Sequence, residues 1–201
     1  MWKNYWPVYQ KMEEEVKELS YNISFTDVHL PVYSHAISGL LLNICSGCEK
    51  SAKKIILKHS LRGLSRINFG KCGAALLGKY HKLSSVSIDI VWPYQNFSKV
   101  KISPFSSWQP GACKNPGWFT AYNKLKHDQK GGATGATLGD MLEALCGLFV
   151  LNLIMQEDEF PKQSFWRGQL HDKMKTLSTF FDATSVFQVS GGTTIRLKVN
   201  L

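Results

Sequence analysis

Residues 116–130 read PGWFTAYNKLKHDQK, and their spacing predicts an amphipathic helix. At about 100° per residue, one face carries polar groups and the other apolar groups. The polar face holds Asn123, Lys126, His127 and Lys130, and the apolar face holds Trp118, Ala121, Tyr122 and Leu125. We expect the apolar face to anchor the helix in a helical core and the polar face to form a functional surface.

The polar face collects groups that can hold a phosphate and move a proton. A histidine with a pKa near ~6.5 exchanges protons close to neutrality, so His127 is a candidate general acid or base. The carboxamide of Asn123, four residues earlier, can orient a water, a ribose hydroxyl or a phosphate oxygen. Flanking lysines supply the positive field that an anionic substrate needs. The alternative is a surface helix with a solvated lysine and histidine face.

Two longer helices are predicted on either side of this stretch. Ser34 can cap a helix from His35 to about His59, whose first half is apolar nearly all round. Its second half is basic, which indicates either a solvated face or a nucleic-acid contact surface. Thr137 can cap a second helix, Leu138 to Ile154, whose apolar surface is wide enough for both a core and a dimer contact.

The remaining elements are shorter. Pro7 stands where a first helical turn tolerates proline, in a helix with Val8, Met12, Val16 and Leu19 on its apolar stripe. Residues 23–30 include a short extended stretch. Another helix is predicted over 68–83. Alternation at period two predicts an inserted β-hairpin over 86–92 and 99–103, with a turn at 93–96, and a terminal hairpin over 186–189 and 194–199.

The composition of the chain restricts the classes of protein to which it can belong. The 201 residues are 44% apolar and 12% aromatic, which is typical of one globular domain. The net charge of +9 predicts attraction to polyanions, with nucleic acid as the foremost candidate. Five scattered cysteines indicate reduced thiols in the cytoplasm, with no metal or other cofactor. The most apolar run, Met141 to Met155, is shorter than the ~20 residues that a bilayer needs. We therefore expect a soluble, cytoplasmic protein with no membrane partner.

The residues Tyr122-Asn123-Lys124-Leu125-Lys126-His127 resemble the signature of the HEPN superfamily. These are all-helical domains of bacterial defence and toxin systems, and their active members are metal-independent ribonucleases. The signature is an arginine, a polar residue that is often asparagine, three variable positions and a histidine. Asn123 and His127 occupy their places, whereas Tyr122 stands at the arginine position. The helix after Tyr33-Ser34 and the helix from Leu138 resemble the core helices of the same superfamily.

The predicted elements and the resemblance together give the expected fold class and domain organisation. The fold class is mainly α, a HEPN-like helical bundle with an inserted β-hairpin and a C-terminal β-hairpin. A single HEPN-like domain would span residues 1–201, with an insertion at about 84–115 and a C-terminal extension at about 158–201.

The resemblance also implies a role for each site residue. His127 and Asn123 would be catalytic, and Tyr122, Lys124, Lys126 and Lys130 would bind substrate. The lysines would act as point charges in place of the missing guanidinium, without its bidentate geometry.

Two functions follow from the resemblance. The first is RNA binding, with metal-independent endoribonuclease activity, by a homodimer of a defence or toxin system that also has an antitoxin or defence partner protein. The second is a catalytically inactive helical module that dimerises or binds a partner protein or nucleotide. Metal hydrolases and serine hydrolases are disfavoured, because the chain has neither an HExxH nor a GxSxG motif.

Overall fold

The computed structural model of the chain describes residues 5–58, 68–98, 101–111, 113–127, 135–155 and 178–181. Within these ranges the α-helices are α1 (Tyr5–Ser20), α2 (His35–Lys58), α3 (Phe69–Lys79), α4 (Gly117–His127) and α5 (Leu138–Met155). The strands are β1 (Phe25–Thr26), β2 (Ile88–Asp89), β3 (Gln95–Asn96) and β4 (Lys101–Ile102). The mainly α class is confirmed, whereas the specific HEPN-like arrangement stays a prediction.

Helix α5 lies at the centre of the fold, against α1, α2 and α4. Thr137 caps it as predicted: its Oγ1 accepts from the Asp140 N–H at 3.2 Å, and its own N–H donates to Asp140 Oδ2 at 3.1 Å. By length and hydropathy α5 could cross a membrane, but 83% of it is buried inside the fold, as in the core helix of a soluble protein. The prediction of spare apolar surface on α5 for a dimer contact was wrong, because other elements of the same chain cover that surface.

Helix α2 packs lengthwise against α5. It begins at the predicted cap, where Ser34 Oγ accepts from the Ile37 N–H at 3.1 Å. A Cβ at Gly47 would lie 3.2 Å from a methyl of Leu148, so the absence of a side chain there permits close approach of the two helices. The apolar stripe of α2 is buried, and its members are Ile37, Leu40, Leu41, Ile44, Cys48, Ile55 and Ile56.

Helix α1 forms where it was predicted, but its buried face differs from the predicted one. Val8 is 52% exposed and Met12 is only partly buried. The buried residues are instead Trp6, Tyr9, Glu13, Val16 and Leu19. The prediction was wrong over the first half of the stripe, because a carboxylate occupies a core position that the sequence pattern assigns to solvent.

The buried carboxylate of Glu13 holds residues 178–181 against α1. It accepts from the Thr179 N–H at 2.8 Å and from the Ser178 hydroxyl at 3.2 Å. Phe180 and Phe181 enter the core, and Phe181 forms a β-bridge with Ile90. The predicted C-terminal hairpin over 186–199 lies outside the described residues.

Of the predicted hairpin, only a short antiparallel pair is confirmed, β2 with β4, in which Ile88 lies opposite Ile102. That the segment is an insertion stays a prediction. The predicted turn at 93–96 was wrong in its second half, because Gln95–Asn96 forms β3 and pairs in parallel with β1. The predicted extended stretch over 23–30 is extended only at β1 and continues as a 3-10 turn at Asp27–His29. Helix α3 starts at an Asn68 cap but ends at Lys79, earlier than the predicted residue 83.

Candidate functional site

Helix α4 carries the predicted site residues and is anchored by aromatic side chains. Trp118 is fully buried, and its Nε1 donates to the Pro104 carbonyl at 2.8 Å. A Cβ at Gly147 of α5 would lie 3.1 Å from the Trp118 ring, so the indole rests directly on the central helix. Phe119 stacks on Phe69 of α3, with ring centroids 4.1 Å apart. These contacts on three sides fix the orientation of α4.

The predicted division of α4 into two faces is confirmed over the described residues. Trp118, Ala121 and Tyr122 are buried and Leu125 is half-buried. Asn123 is half-buried, and Lys124, Lys126 and His127 are exposed. Lys130 lies outside the described residues. Asn123 and His127 are one helical turn apart, so their side chains are neighbours on the open face.

Tyr122, which the predicted resemblance aligns with the signature arginine, points inward. The residue is 4% exposed, and its hydroxyl donates to Oε2 of Glu49 on α2 at 3.4 Å. Burial raises the pKa of the Tyr122 hydroxyl, and a hydrogen bond with Lys126 partly opposes that rise. The phenol is therefore neutral at pH 7 and supplies no cationic charge to a phosphate.

Lys126 bends back over Tyr122 from the open face. Its Nζ lies 5.4 Å from the centroid of the Tyr122 ring. The hydrogen bond with the Tyr122 hydroxyl raises the pKa of Lys126, so the ammonium stays protonated near neutrality. A positive charge is thus held against the ring of Tyr122, at a distance where a cation–π contact is favourable.

Glu49 is the residue of this site that sequence reasoning missed. It is half-buried on α2, and it meets Tyr122 only because α2 packs against α4. One sequence signal was available, since Glu49 is the single acidic residue in the 24-residue helix α2. An isolated carboxylate among lysines indicates that it accepts a hydrogen bond from a specific, partly buried donor.

The basic second half of α2 presents lysines to two different neighbours. Lys53 acts electrostatically on Cys72 of α3, as does Glu49, so this face of α2 adjoins the α3 and α4 side. Lys54 lies over the ring of Tyr5 in α1, with Nζ 4.4 Å from the ring centroid. The basic surface predicted for α2 is thus divided between the α4 side and the α1 side.

Aromatic residues of the segment 84–115 pack on the apolar face of α4. Phe105 and Trp108 stack with centroids 4.4 Å apart, and Phe105 contacts the edge of Trp118. Both rings are buried. Phe105 and Trp108 thus support the apolar side of α4, while Lys124, Lys126 and His127 on its polar side are exposed.

No protein-family model, curated protein or solved structure matches the chain.

Proposed function

We propose that the open face of α4 binds and cleaves RNA, as in a metal-independent HEPN-like endoribonuclease of a defence or toxin system. One observation carries the proposal: Asn123 and His127 lie one turn apart on an open face beside two exposed lysines, while aromatic packing fixes the other face. A rigid helix that presents a proton-transfer group within a positive field suits phosphodiester chemistry.

In this proposal, His127 removes the proton of a ribose 2′-hydroxyl. The 2′-oxygen then forms a bond to the adjacent phosphorus, and the bond from phosphorus to the leaving 5′-oxygen breaks. The leaving oxygen takes up a proton from an imidazolium, and the second copy of His127 in a homodimer would supply it. The products are a cyclic phosphate end and a free 5′-hydroxyl, with no metal required.

The other residues of the face stabilise and position the substrate. The Asn123 carboxamide, half-buried and thus restricted, holds the phosphate or the ribose hydroxyl. The ammonium of Lys126, held over Tyr122, takes the place of the guanidinium as a point charge, and Lys124 adds to the field. Without the bidentate fork we expect a rate about 10²-fold below that of an arginine-containing site.

A second candidate is a catalytically inactive HEPN-like module that dimerises or binds a partner protein or nucleotide. The contact between Tyr122 and Glu49 supports it, because a neutral phenol bound to a carboxylate cannot supply the cationic charge expected of the signature arginine. In this case we expect RNA or partner binding without turnover.

Cleavage of labelled RNA in excess chelator tests the proposal. We expect the wild-type protein to produce cyclic phosphate ends, and His127→Ala to lower the rate by about 10²-fold or more. His81→Ala is the matched control, since His81 is also exposed but lies outside α4. Equal cleavage by wild type and His127→Ala would remove the catalytic role. An inert wild type that gains activity with Tyr122→Arg would support the second candidate and the alignment with the family signature.

A further inference from the structure

A cavity of about 490 Å³ lies between α1, α2 and α5. It opens on the side of α2 that carries Lys50 and Lys54, whereas Glu49 and Lys53 of the same helix act on the α3 and α4 side. Its volume is within the ~300–1,000 Å³ typical of small-molecule sites. Nothing in the chemistry proposed for α4 uses this cavity.

The walls of the cavity are largely apolar. Val8 and Met12 of α1 form one side and Leu148 of α5 forms another, and the aromatic ring of Tyr5 lies at the edge. Val8 is 52% exposed although it lines a concavity. These side chains provide a surface for the hydrocarbon or aromatic part of a ligand.

The base of the cavity is polar. Asn152 is 1% exposed and is a carboxamide within α5, the most apolar of the described helices. The Ser51 hydroxyl donates to its Oδ1 at 3.3 Å, and both residues line the cavity. A buried carboxamide is unfavourable in an apolar helix unless its hydrogen bonds are satisfied. The pair of Ser51 and Asn152 thus gives one wall of the cavity a polar character.

The charged residues that line the cavity are both lysines. Lys50 and Lys54 line it, and none of the described lining residues is acidic. The ammonium of Lys54 lies 4.4 Å from the centroid of the Tyr5 ring, and this cation–π contact restricts its position beside the cavity. Two ammonium groups beside an apolar concavity provide complementary charge for a single anionic group.

We propose that this cavity binds a small amphipathic organic anion, with an aromatic or aliphatic body and one carboxylate, sulfonate or phosphate group. The body lies against Val8, Met12 and Leu148, and the anion lies between Lys50 and Lys54. The proposal is independent of RNA cleavage, because none of these residues belongs to α4.

Two fluorescent probes test it: the anion 8-anilinonaphthalene-1-sulfonate and its uncharged analogue N-phenyl-1-naphthylamine. We expect the wild-type protein to bind both. In Lys50→Glu/Lys54→Glu the anion should bind about tenfold or more weakly, because two attractive charges become repulsive, while the uncharged probe changes by less than about twofold. Lys53→Glu is the control, since it changes a charge on the same helix outside the cavity lining.

A second variant locates the binding. Ser46 lines the cavity and is half-buried, so Ser46→Trp should fill the space and weaken binding of both probes, with circular dichroism confirming the fold. Failure of the wild type to bind the anion would overturn the proposal. It would also be overturned by equal weakening in Lys53→Glu and Lys50→Glu/Lys54→Glu, or by full binding in Ser46→Trp.

Discussion

Replacing Glu13 by Gln should cost far more stability than the same replacement at Glu14. The two residues are adjacent in α1, and each carboxylate lies 3.4 Å from the ammonium of Lys17. They differ in burial, because the side chain of Glu13 is 3% exposed and that of Glu14 is 59% exposed. Only the Glu13 carboxylate also accepts hydrogen bonds from Ser178 and Thr179.

The expected magnitude follows from the donors that meet Glu13. Its Oε1 accepts from the Ser178 hydroxyl, the Thr179 N–H and the Thr179 hydroxyl at 3.2, 2.8 and 3.2 Å. A hydrogen bond to a charged group contributes about 1.5–3 kcal/mol, against about 0.5–1.5 kcal/mol for a neutral one. Neutralising the acceptor thus costs roughly 1 kcal/mol for each donor, or about 3 kcal/mol in all. For the exposed Glu14, the corresponding loss is about 0–0.5 kcal/mol.

Urea unfolding, followed by tryptophan fluorescence and far-ultraviolet circular dichroism, measures both variants. With a slope near ~2 kcal/mol per molar, Glu13→Gln should lower the midpoint by about 1.5 M. Glu14→Gln should leave the midpoint nearly unchanged. A difference between the two variants below about 0.5 kcal/mol would refute the account of how residues 178–181 are held against α1.

Two further predictions concern packing and thiol chemistry. A Cβ at Gly73 would lie 2.7 Å from Trp108 Cε2, so Gly73→Ala should lower the free energy of unfolding by about 1–3 kcal/mol. Gly78 lies in the same helix with open space around it, so Gly78→Ala should raise the free energy of unfolding by up to about 1 kcal/mol. If urea unfolding showed changes of the same sign for the two variants, this prediction would be contradicted. Burial raises the pKa of Cys72 to about 11, so at pH 8 its thiolate fraction is about 10⁻³ and increases about tenfold per pH unit below pH 11. Iodoacetamide should therefore label the half-buried Cys113 first, and labelling of Cys72 at an equal rate at pH 8 would contradict the buried placement.

Helices with strong local signals could be predicted from the sequence. The caps at Ser34 and Thr137 involve residues three positions apart, so the sequence contains both partners. The two faces of α4 follow from helical periodicity alone and agree with the observed burial. The same locality accounts for the starts of α2 and α5.

Three of the departures from prediction share a physical cause, because they depend on contacts between distant parts of the chain. Glu13 is buried because Thr179, 166 residues later, supplies its donors. Gln95–Asn96 has the composition of a turn but gains a partner strand at Phe25–Thr26. Glu49 joins the candidate site only when α2 packs on α4. Periodicity and composition contain no information about such pairs.

Binding of single-stranded RNA tests most directly the claim that α4 presents a nucleic-acid surface. Fluorescence anisotropy should be measured over a series of salt concentrations for Lys124→Glu/Lys126→Glu and for the matched control Lys11→Glu/Lys82→Glu, whose lysines are exposed outside α4. Both variants change the net charge equally. We predict that the α4 variant binds RNA at least about tenfold more weakly than wild type. The slope of the logarithm of its binding constant against the logarithm of salt concentration should be smaller by about 1.4. The control should bind within about twofold of wild type. Equal weakening in the two variants, or a wild type that does not bind RNA, would contradict the account.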